Sequence, residues 1–249
     1  MAQEKTKHSL SVVIPVRNEE QNLEALYHRL CGVLGTSGHA FDVIFIDDAS
    51  NDGSWEVLRK LRTDDSRLKI IRFEKHYGQT AALAVGFFYA TGDVIATLDA
   101  DLQNDPADIP LLLVNLDENC DLVVGWRKHR RDHFVLKVLP SMLANILIRL
   151  VTGVRIHDVG CTLKVFKKRV VENIVLFGGM HRFLPLLAYE KGYSVKEAPV
   201  AHHPRRFGKS KYGLERIVQV VHDVATWKLA SWSLTRARQP QYVLKEVII

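Results

Sequence analysis

Cysteine is scarce in this sequence of 249 residues, where Cys31, Cys120 and Cys161 are widely separated. No CxxC pair occurs, so we expect neither a zinc site nor a disulfide framework, and we predict reduced thiols. Internal repeats, low-complexity tracts and long Gly/Ser linkers are missing as well. With 47% hydrophobic and 25% charged residues, the composition excludes disordered and fibrous proteins and is typical of a globular domain.

Long apolar runs that would cross a membrane are also missing. The run Leu10–Val16 contains a proline and leads directly into Arg17, so we predict a first strand and not a signal peptide. Phe134–Val151 is mostly apolar, but it carries two cations and a narrow polar stripe, and Pro140 kinks it or marks its start. Leu214–Leu234 is amphipathic too. We therefore predict amphipathic helices in these two segments.

The first half of the chain alternates short β-rich runs with segments of helical spacing. This alternation predicts right-handed βαβ units and a mostly parallel sheet flanked by helices, the α/β class. We expect one domain over residues 1–212 and an amphipathic segment with a tail over 213–249. The predicted strands are Leu10–Val16, Asp42–Ile46, Leu68–Phe73, Asp93–Leu98, Asp121–Val124 and Thr162–Phe166, and the predicted helices cover Leu23–Leu34, Trp55–Leu61, Ala81–Ala90 and Ile109–Leu116.

Polar clusters follow the strands of the first half, at the carboxyl edge where open α/β sheets bind ligands. Asp99 and Asp101 are separated by one residue, so both carboxylates can turn toward one divalent cation that neutralises a diphosphate. Gln103 can add a neutral oxygen ligand. The alternative is that Asp101 caps the following helix while Asp99 lies in a turn. The neighbouring polar clusters favour the metal site.

Three further groups of polar residues have two interpretations each. Asp47 or Asp48 can accept hydrogen bonds from a base or a ribose, or the segment is only an Asx turn with Asp52. Asp158 is either a further active-site carboxylate or a residue that orders its turn. The net charge of +6 favours an anionic partner. Two basic clusters are either solvated faces or binding sites for an amphiphile with a phosphate head. The first cluster comprises Arg127, Lys128, Arg130 and Arg131, and the second comprises Arg205, Arg206, Lys209 and Lys211.

Several of these segments together resemble the polyprenyl-phosphate glycosyltransferases, which include dolichol-phosphate mannosyltransferase-like and bacterial undecaprenyl-phosphate enzymes. The resemblance runs from about Ser9 to about Tyr212. It implies a GT-A (Rossmann-like) fold and inverting transfer of one sugar from a UDP- or GDP-sugar to a polyprenyl phosphate on the cytoplasmic membrane face. The matching segments are Ile14–Glu20, Asp47–Ser54, Gly78–Leu83, Leu98–Pro106, Gly160–Lys167 and Arg205–Tyr212.

The resemblance also implies a role for each matching polar residue. Asp99, Asp101 and Gln103 would hold Mg²⁺ or Mn²⁺ against the donor diphosphate. A phosphate acceptor is a nucleophile at neutral pH, so Asp158 would complete the catalytic set by positioning groups and not by taking a proton. The nucleotide pocket would comprise Pro15, Glu19, Asp47 or Asp48, Gly78, Gln79 and Asp99, and the acceptor or diphosphate would be met by Arg127, Arg131, Arg205, Ser210 and Lys211.

The sequence departs from the family pattern in two places. Arg17 stands where the family usually has an aromatic residue, which puts base stacking there in doubt. Many bacterial members continue into two transmembrane helices after the region of Trp227, whereas this sequence continues with Thr235 to Pro240 and a short tail. We therefore expect either a natural single-domain form or a separate membrane subunit. In both cases we expect a cytoplasmic protein, peripheral to the membrane surface through Leu214–Leu234.

The expected partners are a nucleotide-sugar donor, a polyprenyl phosphate and the membrane surface, with no nucleic acid. A different GT-A transferase, acting on a glycan or a protein, is the main alternative. Processive synthases are one branch of this alternative, and the absence of their Gln-x-x-Arg-Trp signature counts against that branch. The third possibility is a non-catalytic protein that binds nucleotide sugars. The presence of both Asp99 and Asp101 counts against it.

Overall fold

The computed structural model describes residues 8–128, 153–154, 156–205 and 242–249. Within these residues, eight strands form one sheet. The strands are β1 Leu10–Val16, β2 Phe41–Asp47, β3 Leu68–Phe73, β4 Val94–Thr97, β5 Leu122–Trp126, β6 Lys164–Lys167, β7 Val195–Pro199 and β8 Leu244–Ile248. The helices are α1 Glu20–Gly35, α2 Ser54–Asp64, α3 Gln79–Tyr89, α4 Ile109–Asn115, α5 Lys168–Glu172 and α6 Leu184–Glu190, with 3₁₀ turns at Pro106–Asp108 and Met180–Phe183.

The sheet is mixed but mostly parallel, with the strand order β7-β5-β6-β4-β1-β2-β3-β8. β1 pairs in parallel with β2 and β4, and β2 pairs in parallel with β3. β6 runs antiparallel to both β4 and β5, and β8 runs antiparallel to β3. The predicted α/β class with a mostly parallel sheet is therefore confirmed.

The central strands are buried on both faces because helices cover the sheet on either side. Val12, Val13 and Ile14 of β1 are completely buried, which explains the unbroken apolar run in the sequence. α3 lies very close to this strand. A Cβ atom at Gly86 would be 2.2 Å from Val13 Cγ1 and 2.8 Å from a methyl carbon of Ile46, so a larger residue does not fit. This close contact fixes the position of α3, whose first residue belongs to the candidate site.

Some predictions concern residues that the structure does not describe. They include the helices expected at Phe134–Val151 and Leu214–Leu234 and the acceptor residues Arg131, Ser210 and Lys211. The tail assigned to 213–249 contributes β8, which pairs with β3. Among the described residues, no helix combines the length and the apolar character needed to cross a bilayer.

Candidate functional site

The two carboxylates predicted as a pair lie beyond the carboxyl end of β4, near the centre of the sheet. Asp99 Oδ1 accepts a hydrogen bond of 2.8 Å from Gln79 Nε2, the first side chain of α3. Asp101 is buried, and its Oδ1 accepts a 3.1 Å bond from the backbone N–H of Gln103. Leu102, between Asp101 and Gln103, has a φ of +59°, so the chain turns sharply at this residue. The following 3₁₀ turn is capped by Asp105.

Burial makes the ionised form of Asp99 unfavourable. Burial and the charge of Asp101 raise the pKa of Asp99 above its usual range, and Thr162, Lys164 and Arg127 offset only part of this shift. A raised carboxyl pKa means that removal from water costs the ionised form more than its partners in the protein return. A divalent cation at this position would supply a compensating positive charge.

The donor set fits Mg²⁺ or Mn²⁺ held jointly by protein and ligand. Among the described residues, no group of three or more His, Cys, Asp or Glu side chains is arranged to hold a metal ion. Mg²⁺ does not need such a cage, because it usually binds one or two carboxylates together with substrate phosphates and water. Asp99 and Asp101 supply these two carboxylates. Gln103 lies beside them, but its side-chain Nε2 donates to the backbone oxygen of His203 at 3.4 Å.

Arg205, predicted as a phosphate ligand, contacts Asp101 of the carboxylate pair. Its Nη2 donates to Asp101 Oδ2 at 2.6 Å, and its Nη1 lies 3.6 Å from Glu19 Oε1. Glu19 precedes α1 and is held by Asn22, whose Nδ2 donates to Glu19 Oε2 at 2.7 Å. The structure therefore gathers residues from the β1, β4 and β7 strand ends around Asp101.

Asp47 and Asp48, the two candidates for the nucleotide pocket, are both buried and engaged within the protein. Asp47 is completely buried, with its Oδ2 atom 3.1 Å from Nε of Arg72. Burial raises the pKa of Asp47. Arg17, the residue that departs from the family pattern, donates through Nη1 to the backbone oxygen of Asp48 at 2.9 Å. These contacts tie the ends of β1, β2 and β3 together.

Asp48 organises the loop that leads into α3. Its carboxylate accepts the backbone N–H groups of Tyr77 at 2.7 Å and Gly78 at 2.9 Å, and His76 Nδ1 lies 2.7 Å from Oδ2. Gly78 has a φ of +92°, a conformation that glycine adopts without strain. Asp48 thus places Gly78 and Gln79, both predicted to border the nucleotide, beside Asp99.

Replacing Asp48 by asparagine is expected to lower the free energy of unfolding by about 1–3 kcal/mol, because the new amide N–H₂ leaves a partly buried N–H of the loop without an acceptor. Urea denaturation measures this change. Asp64→Asn changes an exposed carboxylate at the end of α2 and is the control. Its free energy of unfolding should equal that of the unmodified protein. Equal stability of the Asp48 variant and this control would show that the loop holds without the carboxylate.

Asp158 is buried and forms a two-point ion pair with Arg127. Arg127 Nε donates to Asp158 Oδ2 at 2.7 Å, and Nη2 donates to Oδ1 at 2.8 Å. Glu197 holds this segment in turn, since its carboxylate accepts the backbone N–H groups of His157 and Asp158. His157 stacks on Trp126, with 4.6 Å between the ring centroids. In this arrangement Asp158 orients Arg127 at the end of β5.

Lys164 and His181 were missed by the sequence analysis. A narrow pocket beneath Asp99 is lined by both residues, together with Pro15 and Gln79. Lys164 is only 3% exposed, and its Nζ donates to the backbone oxygen of Cys161. Burial lowers its pKa. A single charge inside a predicted buried strand could have pointed to Lys164. The sequence contains no comparable signal for His181, whose Nδ1 lies 2.6 Å from the Thr80 hydroxyl.

Residues 11–175 match the sequence profile of glycosyl transferase family 2. The chain is 40% identical over 219 residues to the dodecaprenyl-phosphate galacturonate synthase of Rhizobium johnstonii, covering 86% of this chain and 65% of that protein. It is 37% identical over 218 residues to the undecaprenyl-phosphate 4-deoxy-4-formamido-L-arabinose transferase of Salmonella paratyphi A, covering 87% and 66%. The chain thus spans slightly less than two thirds of each relative.

Solved structures share the fold at low sequence identity. A mannosyltransferase of Pyrobaculum calidifontis in complex with GDP-Man and Mn²⁺ superposes with a TM-score of 0.65 at 16% identity, covering 95% of this chain and 67% of that one. The glucosyl-3-phosphoglycerate synthase of Mycobacterium tuberculosis with Mn²⁺, UDP-glucose and phosphoglyceric acid gives 0.67 at 17% identity, covering 90% and 79%. The sheet and its helices are those of the GT-A fold, and the chain belongs to glycosyl transferase family 2.

Proposed function

We propose that this chain transfers one sugar, with inversion, from a UDP- or GDP-linked donor to a polyprenyl or dolichyl phosphate with the help of Mg²⁺ or Mn²⁺. The observation that carries this proposal is the convergence of two carboxylates, Asp99 and Asp101, with two arginines, Arg127 and Arg205, at one edge of the sheet. Carboxylates suit a cation on a diphosphate, and arginines suit phosphate oxygens. The two curated relatives, both named for polyprenyl-phosphate substrates, support the choice of acceptor.

In this proposal the chain positions charges and needs no strong general base. Asp99 and Asp101, with Gln103 beside them, would hold the divalent cation, which when bound would neutralise the departing nucleoside diphosphate. Gln79 fixes Asp99 by its 2.8 Å hydrogen bond, and Asp158 fixes Arg127. A phosphate acceptor is ionised at neutral pH and attacks without losing a proton. The donor pocket would be bordered by Pro15, Glu19, Asp47 or Asp48, Gly78 and Gln79, and the acceptor would be met by Arg127 and Arg205 with Arg131, Ser210 and Lys211, which lie outside the described residues.

A two-step experiment tests the function. Thermal unfolding with a panel of UDP- and GDP-sugars, with and without Mn²⁺, should identify one donor whose stabilising effect requires the metal. That donor is then incubated with a short polyprenyl phosphate, with the matching polyprenol lacking phosphate, and with a peptide or free glycan. We expect product from the polyprenyl phosphate alone. Efficient transfer to the peptide or glycan, without transfer to the lipid phosphate, would overturn the proposed acceptor.

We further propose that the domain over residues 1–212 carries out the sugar transfer and that the segment 213–249 binds the protein peripherally to the cytoplasmic face of a membrane. On a helix, the apolar side chains of Leu214–Leu234 would share one side, and Trp227 and Trp232 suit the headgroup boundary. A membrane location fits an acceptor with a long hydrocarbon tail. A separate membrane subunit would be a further partner in the same arrangement.

Sedimentation with vesicles tests this membrane proposal. Binding to anionic vesicles is expected to decrease with salt, because each Lys or Arg near the surface contributes about 1 kcal/mol through screened attraction. Trp227→Ser combined with Trp232→Ser should weaken binding further. Phe88→Ser is the matched control, since it removes from α3 an aromatic residue that is 82% exposed. This variant should sediment with vesicles to the same extent as the unmodified protein. Equal recovery in the supernatant with and without vesicles would exclude the membrane role.

A further inference from the structure

The segment after β7, residues 200–205, lies along the segment that follows Asp101, and we name it the strap. Its backbone is held by several polar contacts. His203 donates its N–H to the backbone oxygen of Gln103 at 2.8 Å, and Ala201 donates to Asp108 Oδ2 at 2.8 Å. His202 forms an isolated β-bridge with Asn104. The backbone of the strap is therefore fixed on both sides of its midpoint.

Arg205 ends the strap and places a positive charge directly on Asp101. The guanidinium donates to Asp101 Oδ2 at 2.6 Å, and the side chains of Arg205 and Asp101 are 22% and 8% exposed. Glu19 Oε1 lies 3.6 Å from the same guanidinium. Asp99 has a different partner, the neutral amide of Gln79. Of the two candidate metal ligands, Asp101 thus has a protein cation bound to it.

A divalent cation and this guanidinium compete for the same carboxylate. Asp101 Oδ1 already accepts the N–H of Gln103, and Oδ2 accepts Arg205. A cation bound by Asp101 would also repel the arginine across a few ångströms in a partly buried site. Because the strap backbone is held up to His203, release of Asp101 requires movement of Arg205 itself and not of the strap before it.

Building on the proposed function, we propose that Arg205 is an internal counter-ion of Asp101 that the divalent cation displaces. The released guanidinium then becomes available to phosphate oxygens, which it binds in two-point fashion. Arg205 therefore has opposite effects on two steps. It weakens metal binding to the donor-free protein, and it assists sugar transfer once the metal and phosphates are present.

Removal of the guanidinium separates these effects. For Arg205→Gln we expect the dissociation constant of Mn²⁺, measured on the donor-free protein by electron paramagnetic resonance of free Mn²⁺, to decrease on the order of tenfold, because a charged hydrogen bond no longer competes. Sugar transfer by the same variant should become slower. Arg205→Lys keeps a positive charge without the two-point geometry. Its dissociation constant for Mn²⁺ should therefore lie between those of the unmodified protein and Arg205→Gln.

Arg29→Gln is the matched control, since Arg29 makes a two-point ion pair of 2.7 and 2.6 Å with Asp105 on the same segment but does not touch Asp101. Its Mn²⁺ affinity should equal that of the unmodified protein. Unchanged or weaker Mn²⁺ binding by both Arg205 variants, or no Mn²⁺ binding by any of the proteins, would overturn the counter-ion role. Tighter binding by Arg205→Gln in a protein that transfers no sugar to polyprenyl phosphate would support the counter-ion role and reject the proposed acceptor instead.

Discussion

Asp99→Asn is expected to reduce sugar transfer by roughly a thousandfold while leaving the protein folded. The amide keeps the shape of the side chain but is a poor ligand for a divalent cation. Charge stabilisation by a metal contributes several kcal/mol to the transition state, and each 1.36 kcal/mol corresponds to about tenfold in rate. The same change should leave the melting temperature equal or higher. The pKa of Asp99 is raised in the folded protein, so above its unfolded pKa the ionised carboxylate opposes folding, and the neutral amide removes that cost.

Asp93→Asn provides the control for this experiment. Asp93 precedes β4 at the opposite edge of the sheet, where its exposed carboxylate accepts hydrogen bonds from Ser9. The chemical change is the same, but it lies far from the candidate site, so transfer should stay at the level of the unmodified protein. Turnover should also stop when EDTA is added. Full activity of Asp99→Asn, or of the unmodified protein in EDTA, would eliminate the metal mechanism.

Asp158→Ala is expected to lower the free energy of unfolding by about 3–5 kcal/mol, because it leaves the Arg127 guanidinium buried without its carboxylate. Both side chains are well inside the protein, with 13% and 5% of their surfaces exposed. Transfer should also become less efficient, with a raised KM for the polyprenyl phosphate, since Arg127 loses its orientation. Urea denaturation and acceptor titration measure the two effects separately.

A second charge pair, which is exposed, is the comparison. Lys196 Nζ lies 2.6 Å from Asp117 Oδ2, but the side chains of Asp117 and Lys196 are 49% and 44% exposed. Exposed pairs contribute little, so Asp117→Ala should unfold at the urea concentration of the unmodified protein. The double variant Arg127→Met with Asp158→Leu should be more stable than the two single effects predict when added. If Asp158→Ala unfolds like the Asp117 variant, the buried pair does not stabilise the fold.

The sequence predicts the interior strands of this fold well and its edges poorly. β1 and β3 were predicted with the boundaries observed, Leu10–Val16 and Leu68–Phe73, because most of their residues are apolar and buried, with only Lys69 and Arg72 of β3 charged. β7 and β8 were not predicted. They are short edge strands in which every residue except Ala198 is half-buried or exposed, so polar and apolar residues mix without a distinctive run.

Within the site, the sequence identified residues but not their partners. Asp99 and Asp101 could be paired from their spacing alone, since both follow one strand. The contact of Arg205 with Asp101 was not predicted, because the path of the chain after β7 depends on contacts between distant segments. The pairing of Asp47 with Arg72 depends in the same way on the alignment of β2 with β3, in which the two residues are opposite each other.

The position of β6 in the sheet has a consequence for how the protein forms. β6 separates β4 from β5, although it follows both of them in the chain. Synthesis proceeds from the N-terminus, so β1, β2, β3, β4 and β5 are made before β6 and β7, the two sheet neighbours of β5. Pairings between distant segments form slowly because their loops must close first. Asp99 and Arg127, which follow β4 and β5, can therefore come together in one sheet only after Lys164–Lys167 has been synthesised and has paired with both strands.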